Sequence, residues 1–261
     1  MEKCLLEGIT ENTFFGIEFK FKREIFNISI SLVTPEFIRR PDRKYSNKHH
    51  FFFRGFLNSM KDFDFVGHIG INYRFMKLHP EEASPLNSVM FKDIPSIDAP
   101  NSLLISQLSS LPKHHILGVE ILNILDPICL QAEVAYINAI WRDYETERYR
   151  SWYIQGSLLL TGESRSYDFT LGTLKDPNPI LSIGAIEVVA RYSCCKIMNE
   201  GPLLRGVSSK DGKKKATVFG LNWFISKNLK LQVNYAKEEF TYRLMDTKIL
   251  TGFGFRMQIA F

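Results

Sequence analysis

Long hydrophobic runs are absent from this sequence. No stretch of about 18 consecutive apolar residues occurs in its 261 residues, which excludes membrane-crossing helices. Cysteine is scarce, limited to Cys4, Cys129, Cys194 and Cys195. The adjacent pair points to opposite faces of an extended chain, and no spacing matches a metal centre, so all four read as small apolar fillers. Charge of one sign is also in short supply. A formal net charge of +5, with charged residues at 23 % spread along the chain, gives no nucleic-acid footprint and no disordered tail. There is no phosphate-binding loop, no Gly-x-Gly-x-x-Gly, no Gly-x-Ser-x-Gly and no His-Glu-x-x-His. The pairs His49-His50 and His114-His115 border loops, and Glu81-Glu82, Asp143, Glu145 and Glu147 lack a partner motif. Neither an enzyme, nor a metal, nor a cofactor is expected.

The sequence instead has alternation. Aromatics reach 13 %, with 21 Phe and 10 Tyr, beside 16 Gly and a mean hydropathy of only −0.10. Only alternate residues of a membrane β-strand face lipid, and this composition is what such strands require. Residues 248–261 read KILTGFGFRMQIAF. Phe253, Phe255, Met257, Ile259 and Phe261 share one face; Gly252, Gly254, Arg256, Gln258 and Ala260 share the other. A strand buried on both sides would not keep Arg256 and Gln258 in phase with glycines. Ending on Phe261, the pattern resembles the terminal strand of bacterial outer-membrane β-barrels, where that residue serves as the assembly signal for the barrel-assembly machinery.

Earlier segments repeat the pattern. Phe15, Ile17, Phe19 and Phe21 oppose Gly16, Glu18, Lys20 and Lys22, and after a tight turn Phe26, Ile28, Ile30 and Leu32 oppose Asn27, Ser29 and Ser31. Ile69, Ile71, Tyr73 and Phe75 oppose His68, Gly70, Asn72 and Arg74. The expectation is an all-β chain: one antiparallel transmembrane β-barrel domain over 1–261, with 1–12 an N-terminal tail and about eleven or twelve strands visible. With Phe261 at the periplasmic rim, the short connections at 23–24, 60–62, 123–126 and 226–228 fall on the periplasmic side. The long ones at 35–48, 77–112 and 196–215, including the basic KDGKKK, fall outside. Residues 77–112 hold five prolines and sustain no period, which makes them an external or constriction loop. Residues 162–183 break the rule as a long, irregular connection on the periplasmic side, which either holds two short strands or is a periplasmic excursion.

The stretch SWYIQGSLLLTGESRSYD then carries a resemblance. Trp152, Tyr153, Gln155, Gly156, Leu160, Thr161, Gly162, Glu163, Arg165 and Tyr167 resemble the signature of the phosphate-selective porin family (porin O and P). GAIEVVARYS at 184–193 resembles its Gly-Ala-Trp-Glu-x-x-x-Arg-Tyr-Ser strand, with Ile186 in place of Trp. Residues 218–235, with Asn222 and Trp223, resemble its Gly-x-Asn-Trp-Tyr hairpin, with Phe224 for Tyr. The resemblance implies a homotrimeric outer-membrane barrel of a Gram-negative bacterium, in contact with outer-membrane lipid, passing small anions such as phosphate through a basic lumen.

Alternation sets Lys20, Lys22, Arg74, Arg191, Lys230 and Arg256 on lumen-side faces as the candidate anion path, among Glu18, Glu120, Glu133 and Glu187. Mutual pairing of these charges is the competing expectation. Glu163 and Arg165 read as a hydrogen-bonding hook at a strand end. The apolar stretch of the N-terminus is two leucines followed by Glu7, unlike a signal peptide. With the first strand starting outside, this leads to an expectation of a chain lacking the N-terminal part of a barrel of the roughly 16-stranded porin size. A non-conducting porin remnant or an adhesin-like structural barrel is the alternative. A soluble sandwich would need a second apolar face, which the charged and glycine-rich side does not supply.

Overall fold

The computed structural model describes residues 14–35, 49–59, 65–77, 88–92, 105–109, 113–140, 146–199, 212–242 and 247–260. Strands form wherever side chains alternate. They are β1 (Phe14–Lys22), β2 (Phe26–Pro35), β3 (His49–Asn58), β4 (Val66–Lys77), β5 (Ser88–Lys92), β6 (Ile105–Ser109), β7 (Lys113–Leu125) and β8 (Ile128–Ile140). After these come β9 (Thr146–Leu159), β10 (Tyr167–Asp168), β11 (Thr173–Leu174), β12 (Ala185–Asn199), β13 (Gly212–Phe224), β14 (Leu229–Tyr242) and β15 (Lys248–Ile259). Eleven of them make one antiparallel sheet in the order β1-β2-β3-β4-β7-β8-β9-β12-β13-β14-β15. The β5–β6 and β10–β11 pairs are separate two-stranded sheets. The large sheet is open, with β1 and β15 as its edges, and has the build of a partial barrel wall.

Its two faces are inverted relative to a water-soluble sheet. Phe19, Ile30, Ile71, Val134, Ile154, Phe219, Val233 and Phe255 are exposed on one face, and Phe253 is 76 % exposed. On the other face Asn27, His68, Arg74, Glu133, Gln155, Glu187, Asn222 and Glu238 are buried. Each large apolar side chain left in water forfeits about 1.5–3 kcal/mol, and this sheet forfeits it on every strand. Lipid against the apolar face removes that cost, and the ladder satisfies the backbone.

The structure corrects several strand boundaries. The basic segment at 196–215 is not wholly a loop: β12 continues to Asn199, and β13 already begins at Gly212. Ladder pairing needs only backbone, so strands outrun the apolar pattern, here into the consecutive lysines 213–215. β9 begins at Thr146, upstream of the Trp152-Tyr153 motif, and the histidine pairs lie at the starts of β3 and β7, bordering the connections before them. Residues 77–112, expected to hold no period, contain β5 and β6; most of the remainder lies outside the described residues.

Candidate functional site on the polar face

Connections along one rim of the sheet are short, except the one between β9 and β12. Its centre folds as a tight hairpin, with Tyr167 paired to Leu174 and Asp168 to Thr173. Asp168 shapes the turn: its carboxylate accepts from the backbone N–H groups of Thr170 (2.8 Å) and Leu171 (3.0 Å) and meets Lys175 Nζ at 3.0 Å. The Lys175 ammonium and the Leu171 and Thr170 amides hold this carboxyl below the usual carboxylate range, outweighing the partial burial. Gly172 closes the turn at φ +65°, in the left-handed region.

The hairpin is docked on the polar face, across β2, β3, β4, β7 and β8. Tyr167 is buried against Leu122, Ile124 and Cys129, and its hydroxyl lies 2.6 Å from His68 Nδ1. Arg54 donates to Glu120 (2.8 Å) and to the carbonyls of Leu171 (2.7 Å) and Gly172 (3.3 Å). His68 Nε2 lies 3.4 Å from the same Glu120 oxygen, and Asn27 donates to the Phe169 carbonyl at 3.3 Å. Desolvation of the Tyr167 phenol raises its pKa beyond the usual tyrosine range.

The two ends of the connection are pinned. Thr161 donates to Glu163 and accepts from the Ile186 amide at 3.0 Å, while the Ile180 amide reaches Glu163 at 3.3 Å. Burial works to raise the Glu163 carboxyl, but the Thr161 hydroxyl and the amides of Glu163 and Ile180 leave it below its ordinary value. Arg165 forms an ion pair with buried Glu187, which also accepts from Asn222 at 2.8 Å; Asn222 in turn accepts from Gln232 at 2.7 Å. Trp223, on the apolar side, donates its indole N–H to the Ile183 carbonyl at 2.6 Å. Thr161, Glu163 and Arg165, close neighbours in sequence, are thus joined on one rim by the distant Asn222 through Glu187.

A profile of the family described as phosphate-selective porin O and P matches residues 86–261, more than half of the chain. The chain belongs to that family. Porin O of Pseudomonas aeruginosa is 29 % identical over 127 residues, which cover 46 % of this porin-family chain and 28 % of the relative. The matched region is therefore under a third of that relative's length. Among solved structures, LpxR from Salmonella typhimurium aligns over 94 % of this chain and 88 % of its own at 7 % identity and a TM-score of 0.33, too low to carry an argument.

The candidate anion-path residues of this porin-family chain share the polar face but not one environment. Lys20 meets Glu18 at 2.8 Å, and Lys230 meets Asp176 of the 162–183 connection at 3.3 Å, with the Phe224 ring 4.5 Å from its ammonium. Arg74 is buried, 3.2 Å from His50 and over the Phe52 ring at 4.8 Å; Arg191 lies over the Tyr153 ring at 3.9 Å. Lys22 lines a recess of about 300 Å³ with Arg23, Glu24, Asn27, Phe169 and Thr170. Arg256 is exposed on β15, opposite Gln232 in register. Among the family-motif residues, Tyr153, Gln155 and Tyr167 face the polar side; Trp152 and Gly156 occupy apolar-side positions of β9. Gly162 has φ +85° in the connection. Phe261 lies outside the described residues.

Sequence reading missed Arg54, Lys214, Glu238 and Lys248 on the polar face. Lys214 and Glu238 are both buried and 3.1 Å apart. Arg54 was masked because β3 carries phenylalanine on both faces, which blurs the period. The docked 162–183 connection covers part of the polar face; the expected constriction at 77–112 falls mostly outside the described residues.

Proposed function

We propose that this chain forms the wall of an outer-membrane channel for passive diffusion of small anions such as phosphate, with no chemical step. The observation that supports it most is the inverted sheet: lipid-compatible side chains on one face, and a hydrogen-bonded face carrying Arg54, Arg74, Arg191, Lys230 and Arg256 on the other. Basic side chains along a pore replace hydration lost by an entering anion with attraction. Buried Glu187 and half-buried Glu120 are taken up by Arg165 and Arg54, which leaves exposed Arg256 and Lys248 and the Lys22–Arg23 recess as cations near open space. The 162–183 connection acts as the constriction. In this reading the membrane is the outer membrane of a Gram-negative bacterium, as membership in the porin family supports. The open edges at β1 and β15 favour a second reading, a structural wall that conducts nothing.

Planar-bilayer recording on the refolded chain separates the two. The reversal potential is taken in a potassium chloride gradient, and phosphate is then added. Discrete steps with a chloride-side reversal that phosphate blocks are the expected result. Absence of steps from protein that is folded and inserted by circular dichroism would refute the channel and leave the structural wall.

A further inference from the structure

Near the long-loop rim the apolar face carries an unbalanced patch of cations. Register places Arg150 of β9 opposite Lys196 of β12, and Lys196 opposite Lys213 of β13. One pair further from the rim Lys215 stands between Cys194 and Glu239, and beyond that Thr217 pairs with Lys237 of β14. Arg150, Lys196, Lys215 and Lys237 are exposed and Lys213 is half-buried. Like charges directly opposite on one sheet face destabilise it, and here three stand in one row. Among the described residues Glu239, 3.9 Å from Lys237, is the one carboxylate within ion-pair distance of any of the five. Arg150 rests over the Tyr136 ring at 5.5 Å, which supplies no counter-charge.

The surroundings specify what neutralises this patch. Immediately below it on the same face lie Trp152 and Tyr192, with ring centroids 5.6 Å apart, then exposed Phe219 and Leu221. Cations bordering an apolar band sit at headgroup depth, where basic side chains meet lipid phosphates. The patch is local: at the same end of β3, β4 and β7 the face carries Phe51, Tyr73, Phe75 and His115 in mutual contact. Four adjacent strands span about 14 Å, wider than one phosphate group.

We infer that Arg150, Lys196, Lys213, Lys215 and Lys237 form a binding site for the phosphorylated headgroup of an anionic lipid in the leaflet at the long-loop rim. The acyl chains of that lipid lie over Trp152, Tyr192, Phe219 and Leu221. The site depends on the sheet spanning a membrane but not on conduction, since all five side chains point away from the polar face.

The test measures binding of fluorescent lipid A bearing two phosphates to the full chain refolded in detergent. Competitors are the same lipid without phosphates and free inorganic phosphate. The triple variant Lys196→Gln/Lys213→Gln/Lys215→Gln is compared with Lys230→Gln, a charge loss on the polar face. Expected results are about a hundredfold weaker binding by the triple variant, little change for Lys230→Gln and no competition by either competitor. Parent-like binding by the triple variant, an equal loss of binding in Lys230→Gln, or displacement by either the unphosphorylated lipid or free phosphate would each overturn the inference. Should the triple variant not fold, Lys196→Gln and Lys215→Gln singly are expected to weaken binding several-fold. Lipid binding by protein that passes no current sinks the channel alone; current without lipid binding sinks the lipid site alone.

Discussion

Substituting Gly172 by alanine tests whether the 162–183 hairpin is held on the polar face as its contacts imply. Gly172 has φ +65°, and a Cβ there would stand 2.9 and 3.0 Å from ring atoms of Phe56 and 3.1 Å from His68 Cε1. Left-handed backbone costs an alanine about 1–2 kcal/mol, and overpacking against two side chains buried in the wall costs about 1–3 kcal/mol more. On the other side stand the bonds from Arg54, Asn27 and Tyr167, together worth roughly 3.5–5 kcal/mol at about 1 kcal/mol per neutral bond and 1.5–3 for the charged donor. The strain is comparable to the docking energy, so a large fraction of Gly172→Ala molecules should have the hairpin released. Limited trypsinolysis, reading cleavage after Arg165 and Lys175, should become at least tenfold faster, and any single-channel conductance should rise. Gly162→Ala is the control: φ is +85° but nothing lies within 4 Å of its Cβ, so it carries backbone strain alone. Protease resistance of folded Gly172→Ala equal to that of the parent would refute the docking argument.

The same hairpin gives a pH prediction. The carboxyls of Asp168 and Glu163 are both held below their ordinary range, so their contribution is present above about pH 4 and is lost as pH falls through the depressed folded values. Pepsin cleavage within 161–183 should accelerate only below about pH 4, and Asp168→Asn should loosen the turn at neutral pH; acceleration already at pH 6 would contradict the assignment. Arg165→Gln leaves buried Glu187 without its cation and should cost about 3–5 kcal/mol in detergent unfolding, with Glu187→Gln added on top restoring part of it. An additive double variant would show that the two do not act as a pair. For the proposed channel, Lys230→Gln/Arg256→Gln should move the reversal potential toward the cation side while unitary conductance falls less than twofold; an unmoved reversal potential removes these two from the anion path.

Much of the wall was legible because alternation is a local property. Phe253, Phe255 and Met257 against Gly254, Arg256 and Gln258 state both faces of β15 without reference to any other strand. Reading the same period along the chain yielded eleven strands, short connections on one rim and long ones on the other, and the motif containing Glu163 and Arg165 carried the family. Strand ends were less legible, as in 196–215, because backbone pairing continues where lipid no longer demands an apolar partner. Arg54 and Lys214 escaped for related reasons, the first beside phenylalanines on both faces, the second within a run of lysines.

Only tertiary structure decided which side of the wall the 162–183 connection occupies. Its anchors are Asn27 to Phe169, Arg54 to Leu171 and His68 to Tyr167, separated by 142, 117 and 99 residues. No window of sequence contains both partners of such a contact. A strand's period fixes which way each side chain points, and it leaves undetermined what will pack against that face. The sequence by itself therefore determined an amphipathic β wall of the porin family; long-range hydrogen bonding and the burial of Tyr167 decided that a hairpin from its short-turn rim lies on the polar face.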